Sequence, residues 1–291
     1  MWDVGHEDAH EVHRRIRKLA EEYERGIVTI GEIHEFDPKK WISYYGSDDE
    51  LNMPFNYQLM VADWTAKGVR EAIETVESVV PEWGWINWTM GNHDEIRVAS
   101  RLGDLGARQA AVLLATLRGT PFMYYGDELG MLNGMNQGRD PWGDNVSFLS
   151  RDGCRTPMQW DSSEGVGFTD GEPWIPIGPD HDRRNVENEK DDPESFLSLY
   201  RRRLALRRSR PSLRSGSIRC IDAPPDVLLY ERREGLEATT VGLNFSADPV
   251  QVHQPGDLLF ATGEHEEHPG SAMLGPHSAV VWDTSDILER T

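Results

Sequence analysis

Three polar residues, Asn92, His93 and Asp94, follow one another in the chain, and Arg97 lies close behind them. An apolar run over residues 85–90 precedes the group, which predicts a buried strand whose polar side chains emerge at its carboxyl end. In a barrel of parallel strands this end faces the active site, where several strand ends contribute side chains. Such a group is costly to bury without partners. It is therefore either a candidate reaction centre or a satisfied polar cluster that caps the next helix.

A second candidate carboxyl, Glu32, also follows a short β-branched run, residues 27–30. This run does not alternate between apolar and polar residues, so it fits a strand buried on both faces, as in a parallel sheet. Further strands are predicted at residues 55–60 and 121–125. Helices are predicted between and around the strands, at residues 9–25 with Val12, Ile16, Leu19 and Tyr23 on the inner stripe, at 66–80 and at 106–118. Strands that alternate with helices in this way indicate βα units and a parallel sheet.

The alternation stops at residue 131. Residues 131–190 are rich in Gly, Asp, Asn and Pro, and a loop this long in a compact protein is usually functional. Asp192 and Pro193 then predict the start of a helix. From about residue 212, short apolar runs alternate with turn residues, which predicts a small antiparallel β domain. We therefore expect two domains, residues 1–211 and 212–291.

Composition excludes several classes of partner. The 291-residue chain has a formal net charge of -20, which makes nucleic acid and anionic membrane surfaces poor partners. Cys154 and Cys220 form no metal-type spacing, and no apolar run approaches the length of a membrane span. The N-terminus has no signal-peptide pattern. We expect no metal, cofactor, nucleic acid or membrane partner, and the oligomeric state stays open.

Five short motifs stand in order along the chain. They are T-I-G-E-I at 29–33, G-N-H-D-E-I-R at 91–97, G-T-P-F-M-Y-Y-G-D-E-L-G-M at 119–131, S-R-D-G-C-R-T-P-M-Q-W-D at 150–161 and G-F-T-D-G-E-P-W at 167–174. This ordered set closely resembles the α-amylase superfamily (glycoside hydrolase family 13), in its α-glucosidase/oligo-1,6-glucosidase (maltase) branch. The resemblance implies an α/β fold: the C-terminal half of a (β/α)8 TIM barrel, strands five to eight, followed by a small antiparallel β-sandwich domain.

The resemblance also implies roles for the two carboxyls. Glu32 matches the general acid/base of the family, which protonates the glycosidic oxygen. Asp94 matches a carboxylate that holds hydroxyls of the distorted sugar in the transition state, and His93 matches a histidine that hydrogen-bonds the same ring. The structural alternative for Glu32 is a helix-cap partner or a loop salt bridge.

Other residues of the motifs are implied as substrate-binding groups. Arg151 or Arg155 resembles the arginine that recognises the terminal glucose, with Arg151 preferred. Asn92 and Arg97 either support the site or serve the fold alone. Three tryptophans of the loop region either line the pocket or pack in the core, namely Trp142, Trp160 and Trp174.

One part of the expected machinery has no match in the sequence. A retaining glycosidase also needs a carboxylate nucleophile, which the family carries as an Arg-x-Asp pattern on barrel strand four. No such pattern precedes Glu32, and Asp3 has no arginine two residues before it. A (β/α)8 barrel typically takes about 250 residues, yet only four barrel strands are predicted here. We expect a fragment, inactive by itself, of an active parent enzyme.

The leading hypothesis is a retaining α-glucosidase that removes terminal α-linked glucose from short oligosaccharides of the maltose, isomaltose or sucrose type. One alternative is a noncatalytic relative that binds or scaffolds, and another is a transglycosylating relative such as a trehalose synthase or sucrose isomerase. The presence of Glu32, His93 and Asp94 together argues against the noncatalytic relative, because an idle pocket needs neither carboxylate. The expected partner is a small oligosaccharide. The expected location is cytoplasmic, although any signal peptide would precede the fragment.

Overall fold

The computed structural model describes residues 5–136, 138, 140, 151–253 and 256–285. The α-helices are α1 (Glu7–Glu21), α2 (Pro38–Trp41), α3 (Gln58–Val61), α4 (Ala66–Val79), α5 (Val98–Thr116), α6 (Val186–Glu189), α7 (Phe196–Ser209) and α8 (Pro211–Arg214). The strands are β1 (Ile30–Gly31), β2 (Met53–Pro54), β3 (Asn87–Thr89), β4 (Thr120–Phe122), β5 (Ser217–Ile221), β6 (Val227–Glu234), β7 (Glu237–Asn244), β8 (Val250–His253), β9 (Asp257–Thr262), β10 (His265–His268), β11 (Ser271–Leu274) and β12 (Ala279–Asp283). Short 3-10 helices cover Ile42–Tyr45, Asp127–Leu129 and Arg151–Cys154. No helix of these described ranges is long and apolar enough to cross a bilayer.

Two parallel strand pairs form the α/β part of the molecule. Strand β1 pairs with β2, with Ile30 opposite Met53, and β3 pairs with β4, with Asn87 opposite Thr120. The pairs are bridged by side chains: Asn87 Nδ2 donates to the Pro54 carbonyl oxygen at 2.9 Å. The carboxyl ends of parallel strands meet at one edge of a sheet. This arrangement therefore brings the ends of β1 and β3 to a common edge, as the alternation of strands and helices predicted.

Two predicted elements are wrong. Residues 55–60 are not a strand, because the strand is β2 and the chain enters helix α3 at Gln58. The Asn56 side chain accepts a hydrogen bond from the Gln58 backbone N–H at 3.0 Å, and such a local side-chain acceptor ends an extended segment. The helix predicted to start at Asp192 starts instead after Ser195, whose hydroxyl accepts from the Ser198 N–H at 3.1 Å.

Helix α1 presents its apolar stripe to solvent. Val12, Ile16 and Leu19, predicted to face a core, are 50%, 46% and 55% exposed. The helix is held by polar contacts instead: His10 Nδ1 lies 2.8 Å from a carboxylate oxygen of Glu50. The prediction of an amphipathic helix is correct, but within the described residues nothing covers its apolar face.

The antiparallel strands form two packed sheets. One has the strand order β5-β6-β7-β12-β9 and the other the order β10-β11-β8. A buried apolar cluster lies between them, comprising Val227, Leu229, Val252, Ala272, Leu274, Val280 and Trp282. The prediction of a small antiparallel β-sandwich at the C-terminus is confirmed. The domain boundary after residue 211 stays a prediction; the antiparallel strands begin at Ser217.

A shared core joins the five-stranded sheet to the helices. Residues of α4, α5, β6, β7 and β12 belong to one buried cluster, with members Val69, Ile73, Leu113, Tyr230 and Val241 among others. A polar contact reinforces the apolar one, since the Gln109 amide of α5 donates to the Asn244 carbonyl oxygen at 2.6 Å. Helix α5 starts directly after Arg97, so the C-terminal sheet supports the helix that follows the candidate site.

Candidate active site

Glu32, His93 and Asp94 converge at the carboxyl ends of β1 and β3. Each offers one carboxylate oxygen or ring nitrogen, and these atoms all lie within 4.8 Å of one another. Glu32 and His93 are exposed, whereas the Asp94 side chain is 20% exposed. Residues far apart in sequence thus meet in one cluster that contains two carboxyls and an imidazole.

Asn92 shapes the turn that presents Asp94. Its side-chain oxygen accepts a hydrogen bond from the Asp94 N–H at 2.9 Å, and the residue is 6% exposed. This is an Asx-type turn, in which a short polar side chain fixes the backbone two residues on. The turn begins beside Thr89, whose hydroxyl donates to the Gly91 carbonyl oxygen at 2.9 Å. Asn92 therefore acts on the backbone of the site.

Asp94 carries two guanidinium groups on one oxygen. Arg151 Nη1 donates to Oδ1 at 2.7 Å and Arg155 Nη2 donates to the same oxygen at 2.9 Å. Burial would raise the pKa of the Asp94 carboxyl, but the Arg151 hydrogen bond and the neighbouring positive charges outweigh it and hold this pKa below its usual range. Oδ2 faces the His34 ring nitrogen at 4.0 Å, and no described side chain hydrogen-bonds it.

The two arginines are themselves fixed. Arg151 donates from Nε and Nη2 to the two carboxylate oxygens of Asp140, at 2.5 Å and 2.8 Å. Arg155 donates from Nε to the His93 carbonyl oxygen at 2.7 Å. The sequence left the choice between them open with Arg151 preferred, and the structure brings both onto Asp94. Asp140 was missed because nothing near it in the sequence marks it.

Arg97 lies under the site, away from the converging carboxyls. It is 1% exposed, and its Nη1 donates to the Tyr125 carbonyl oxygen at 2.7 Å. Its guanidinium lies over the Tyr125 ring, 4.8 Å from the centroid. Its backbone N–H donates to the Asn133 side-chain oxygen at 2.7 Å. Arg97 thus ties the start of α5 to the loop after β4.

Two aromatic residues beside Glu32 were missed by the sequence reasoning. The Tyr57 hydroxyl donates to Glu32 Oε1 at 2.9 Å. The His34 ring packs against Tyr57, with ring centroids 5.5 Å apart. Tyr57 was assigned to a strand at 55–60, and that error hid it. The signal that would have found it is an aromatic residue just past the end of β2, next to the strand that carries Glu32.

An open aromatic cavity adjoins the cluster through Arg155. Its volume is about 440 Å³ and its wall includes Tyr125, Trp160, Phe168 and Trp174. Trp160 and Trp174 are 50% and 70% exposed, so they line the cavity and do not pack in the core. Trp142 lies outside the described residues. Exposed aromatic faces are suited to stack on sugar rings.

The converging groups also have the chemistry of a cation site. One ligand atom from each of Glu32, His93 and Asp94 lies close enough to bind a single ion. Exposed acidic groups commonly cluster without one, and the expected absence of a metal stays a prediction.

Comparison with known proteins adds to this geometry. A family model described as the catalytic domain of alpha amylase matches residues 4–216. The chain is 29% identical to a probable oligo-1,6-glucosidase 2 of Bacillus subtilis (strain 168), covering 96% of this chain and 58% of that protein. It is 31% identical to a probable alpha-glucosidase of Rhizobium meliloti (strain 1021), covering 88% and 48%. The solved structure of the trehalulose synthase MutB from Pseudomonas mesoacidophila MX-45 superposes with a TM-score of 0.83 at 29% identity, covering 96% and 59%. The chain spans little more than half the length of these relatives.

Proposed function

The chain belongs to the alpha-amylase family, and on that premise we propose that it carries the acid/base and the sugar-holding carboxylate of a retaining α-glucosidase. The observation that carries the proposal is the convergence of Glu32, His93 and Asp94 within 4.8 Å at neighbouring strand ends. Two carboxyls and an imidazole at this spacing can contact a single sugar ring. Relatives named oligo-1,6-glucosidase and alpha-glucosidase support a short α-linked glucoside as the substrate class.

In the first step, Glu32 donates its proton to the glycosidic oxygen as the bond from that oxygen to the anomeric carbon breaks. The electron pair of the bond leaves with the oxygen, and the sugar ring gains positive charge. Asp94 Oδ1 is occupied by two arginines, so Oδ2 is the oxygen that accepts sugar hydroxyls. In the second step Glu32, now a carboxylate, takes a proton from the attacking water.

Capture of the glycosyl group between these steps requires a nucleophilic carboxylate. The sequence contains no match to the Arg-x-Asp pattern expected for it upstream of Glu32. We therefore propose that the chain as given binds glucosides without turning them over. Glucose release from maltose by this chain, abolished in Glu32→Gln, would contradict that part of the proposal.

Calorimetric titration with 1-deoxynojirimycin, a glucose-shaped amine, tests the binding. We expect saturable binding that Asp94→Asn weakens by roughly tenfold or more, since one lost charge-assisted hydrogen bond has about that effect. Asp48→Asn is the matched control, because Asp48 pairs with Arg17 at 3.2 Å in an exposed contact elsewhere. Absence of binding, or equal binding by parent and Asp94→Asn, would refute the proposed site.

A sucrose-converting transglycosylase is the second candidate. The likeness to the trehalulose synthase MutB, with a TM-score of 0.83, favours it. Titration of the chain with sucrose, maltose and isomaltose separates the candidates. Preference for maltose or isomaltose supports the glucosidase, whereas clear preference for sucrose supports the transglycosylase.

A further inference from the structure

The Tyr57 hydroxyl is the hydrogen-bond partner of the Glu32 carboxyl. Oη lies 2.9 Å from Oε1, a good distance for an O–H donor to a carboxylate. Within the described ranges no other side chain hydrogen-bonds Glu32, and its Oε2 is left open toward His93 and Asp94. The two oxygens of this carboxyl are thus in different environments.

The Tyr57 ring is firmly held. It is 2% exposed and packs against Phe36 and Phe55, with ring centroids 5.6 Å and 5.2 Å away. The backbone before it is anchored by a reciprocal pair: the Asn56 N–H donates to the Asn87 side-chain oxygen at 3.0 Å, and the Asn56 amide donates to the Asn87 carbonyl oxygen at 3.1 Å. A hydroxyl on so fixed a ring points to one place.

The hydroxyl is also a permanent donor. Burial raises the pKa of Tyr57 well above its usual range, and the hydrogen bond to Glu32 adds to this effect. The phenol therefore keeps its proton at any working pH. A carboxyl whose Oε1 accepts this proton carries its own acidic proton on Oε2, because an oxygen already filled as an acceptor is the poorer site for it.

We propose that Tyr57 is a positioning residue that places the transferable proton of Glu32 on Oε2, the oxygen that faces the sugar. This inference rests on the proposed role of Glu32 as acid/base. The hydroxyl acts through Glu32 and touches no reacting atom. It also favours the carboxylate over the carboxylic acid, because the hydrogen bond is stronger to the charged form. Tyr57 thus eases proton release to the glycosidic oxygen in the first step.

Carbon-13 NMR of the full chain labelled at the Glu side-chain carboxyls tests the proposal without needing turnover. Glu32→Gln identifies the Glu32 signal by its disappearance. In Tyr57→Phe, which keeps the ring and removes the hydroxyl, we expect this signal to titrate roughly one pH unit higher, the equivalent of a tenfold change in proton affinity. Tyr45→Phe is the matched control, because Tyr45 is equally buried and its hydroxyl donates to the Trp85 carbonyl oxygen at 2.9 Å. It should leave the Glu32 signal unchanged.

A second measurement guards against a folding defect in Tyr57→Phe. Uniform 3-fluorotyrosine labelling of the parent keeps the packing and makes the phenol a stronger donor, so the Glu32 signal should titrate at lower pH. Equal titration of Glu32 in all these chains would overturn the proposal.

The result is separable from a failure of the proposed function. If 1-deoxynojirimycin binds in an Asp94-dependent way while Tyr57→Phe leaves Glu32 unmoved, the assignment of Tyr57 fails and the proposed function stands. If 1-deoxynojirimycin does not bind, the proposed function fails, and the acid–base role of Tyr57 fails with it.

Discussion

The substitution Asp94→Asn should destabilise the chain and should do so only where Asp94 is charged. Asp94 Oδ1 receives charge-assisted hydrogen bonds from Arg151 at 2.7 Å and Arg155 at 2.9 Å. The three side chains are 20%, 24% and 28% exposed, so solvent screens the contacts only in part. Asparagine keeps the shape and an acceptor but removes the charge.

The magnitude follows from these contacts. A hydrogen bond to a charged group contributes about 1.5–3 kcal/mol, and an exposed ion pair contributes less than about 1 kcal/mol. Because asparagine still accepts neutral hydrogen bonds and Arg151 keeps its pairing with Asp140, about 2 kcal/mol should be lost at pH 7. Arginines 151 and 155 hold the pKa of Asp94 below its usual range. The contribution is therefore fully present above the unfolded value of about 3.9 and is lost as pH falls through the lower folded value.

Urea unfolding of parent and Asp94→Asn at pH 7, 5 and 3, followed by tryptophan fluorescence, measures this difference. The gap in the free energy of unfolding should be full at pH 7 and 5 and should shrink at pH 3. Asp48→Asn is the control, because it breaks the exposed pair with Arg17 and should cost less than about 0.5 kcal/mol. Equal stability of parent and Asp94→Asn at pH 7, or a gap that does not change with pH, would refute the reasoning.

Three further substitutions test the packing around the site. Burial raises the pKa of Asp127 to about 7, so this carboxyl costs stability as pH rises from about 4 to 7; relative to the parent, Asp127→Asn should gain up to about 4 kcal/mol across that window in urea unfolding. Gly119→Ala should cost about 2–3 kcal/mol in the same assay, because φ is +115° and the added Cβ would lie 2.5 Å from the Ile86 carbonyl oxygen. Gln109→Leu should lower the thermal midpoint, since it removes amide donors to two backbone carbonyls of the C-terminal sheet at 2.6 Å and 3.0 Å and so costs about 1–3 kcal/mol. Unchanged stability in any of the three would contradict the contact it removes or strains.

The strand ends that carry Glu32 and Asp94 could be predicted because each follows a short apolar run and is marked by a motif. Their convergence depends on parallel pairing, which the alternation of strands and helices also indicated. The local turn at Asn92 follows the ordinary preference of asparagine for such positions. These features are local, and local sequence is enough to predict them.

Other features depend on contacts that no single stretch contains. The joint grip of Arg151 and Arg155 on Asp94 comes from the 3-10 helix Arg151–Cys154, which no periodicity in the long loop marks. The partnership of Tyr57 with Glu32 was hidden because β-propensity over residues 55–60 lost to a side-chain turn at Asn56. The exposed stripe of α1 could not be foreseen either, since an amphipathic pattern predicts an apolar face without saying what covers it.

A crystal structure of the chain soaked with 1-deoxynojirimycin tests the central claim most directly. The account predicts the ligand between Glu32 and Asp94, with a hydroxyl donating to Asp94 Oδ2 and with both arginines still on Oδ1. A ligand seated against Trp160 and Trp174, with the space between the two carboxyls left empty, would contradict it.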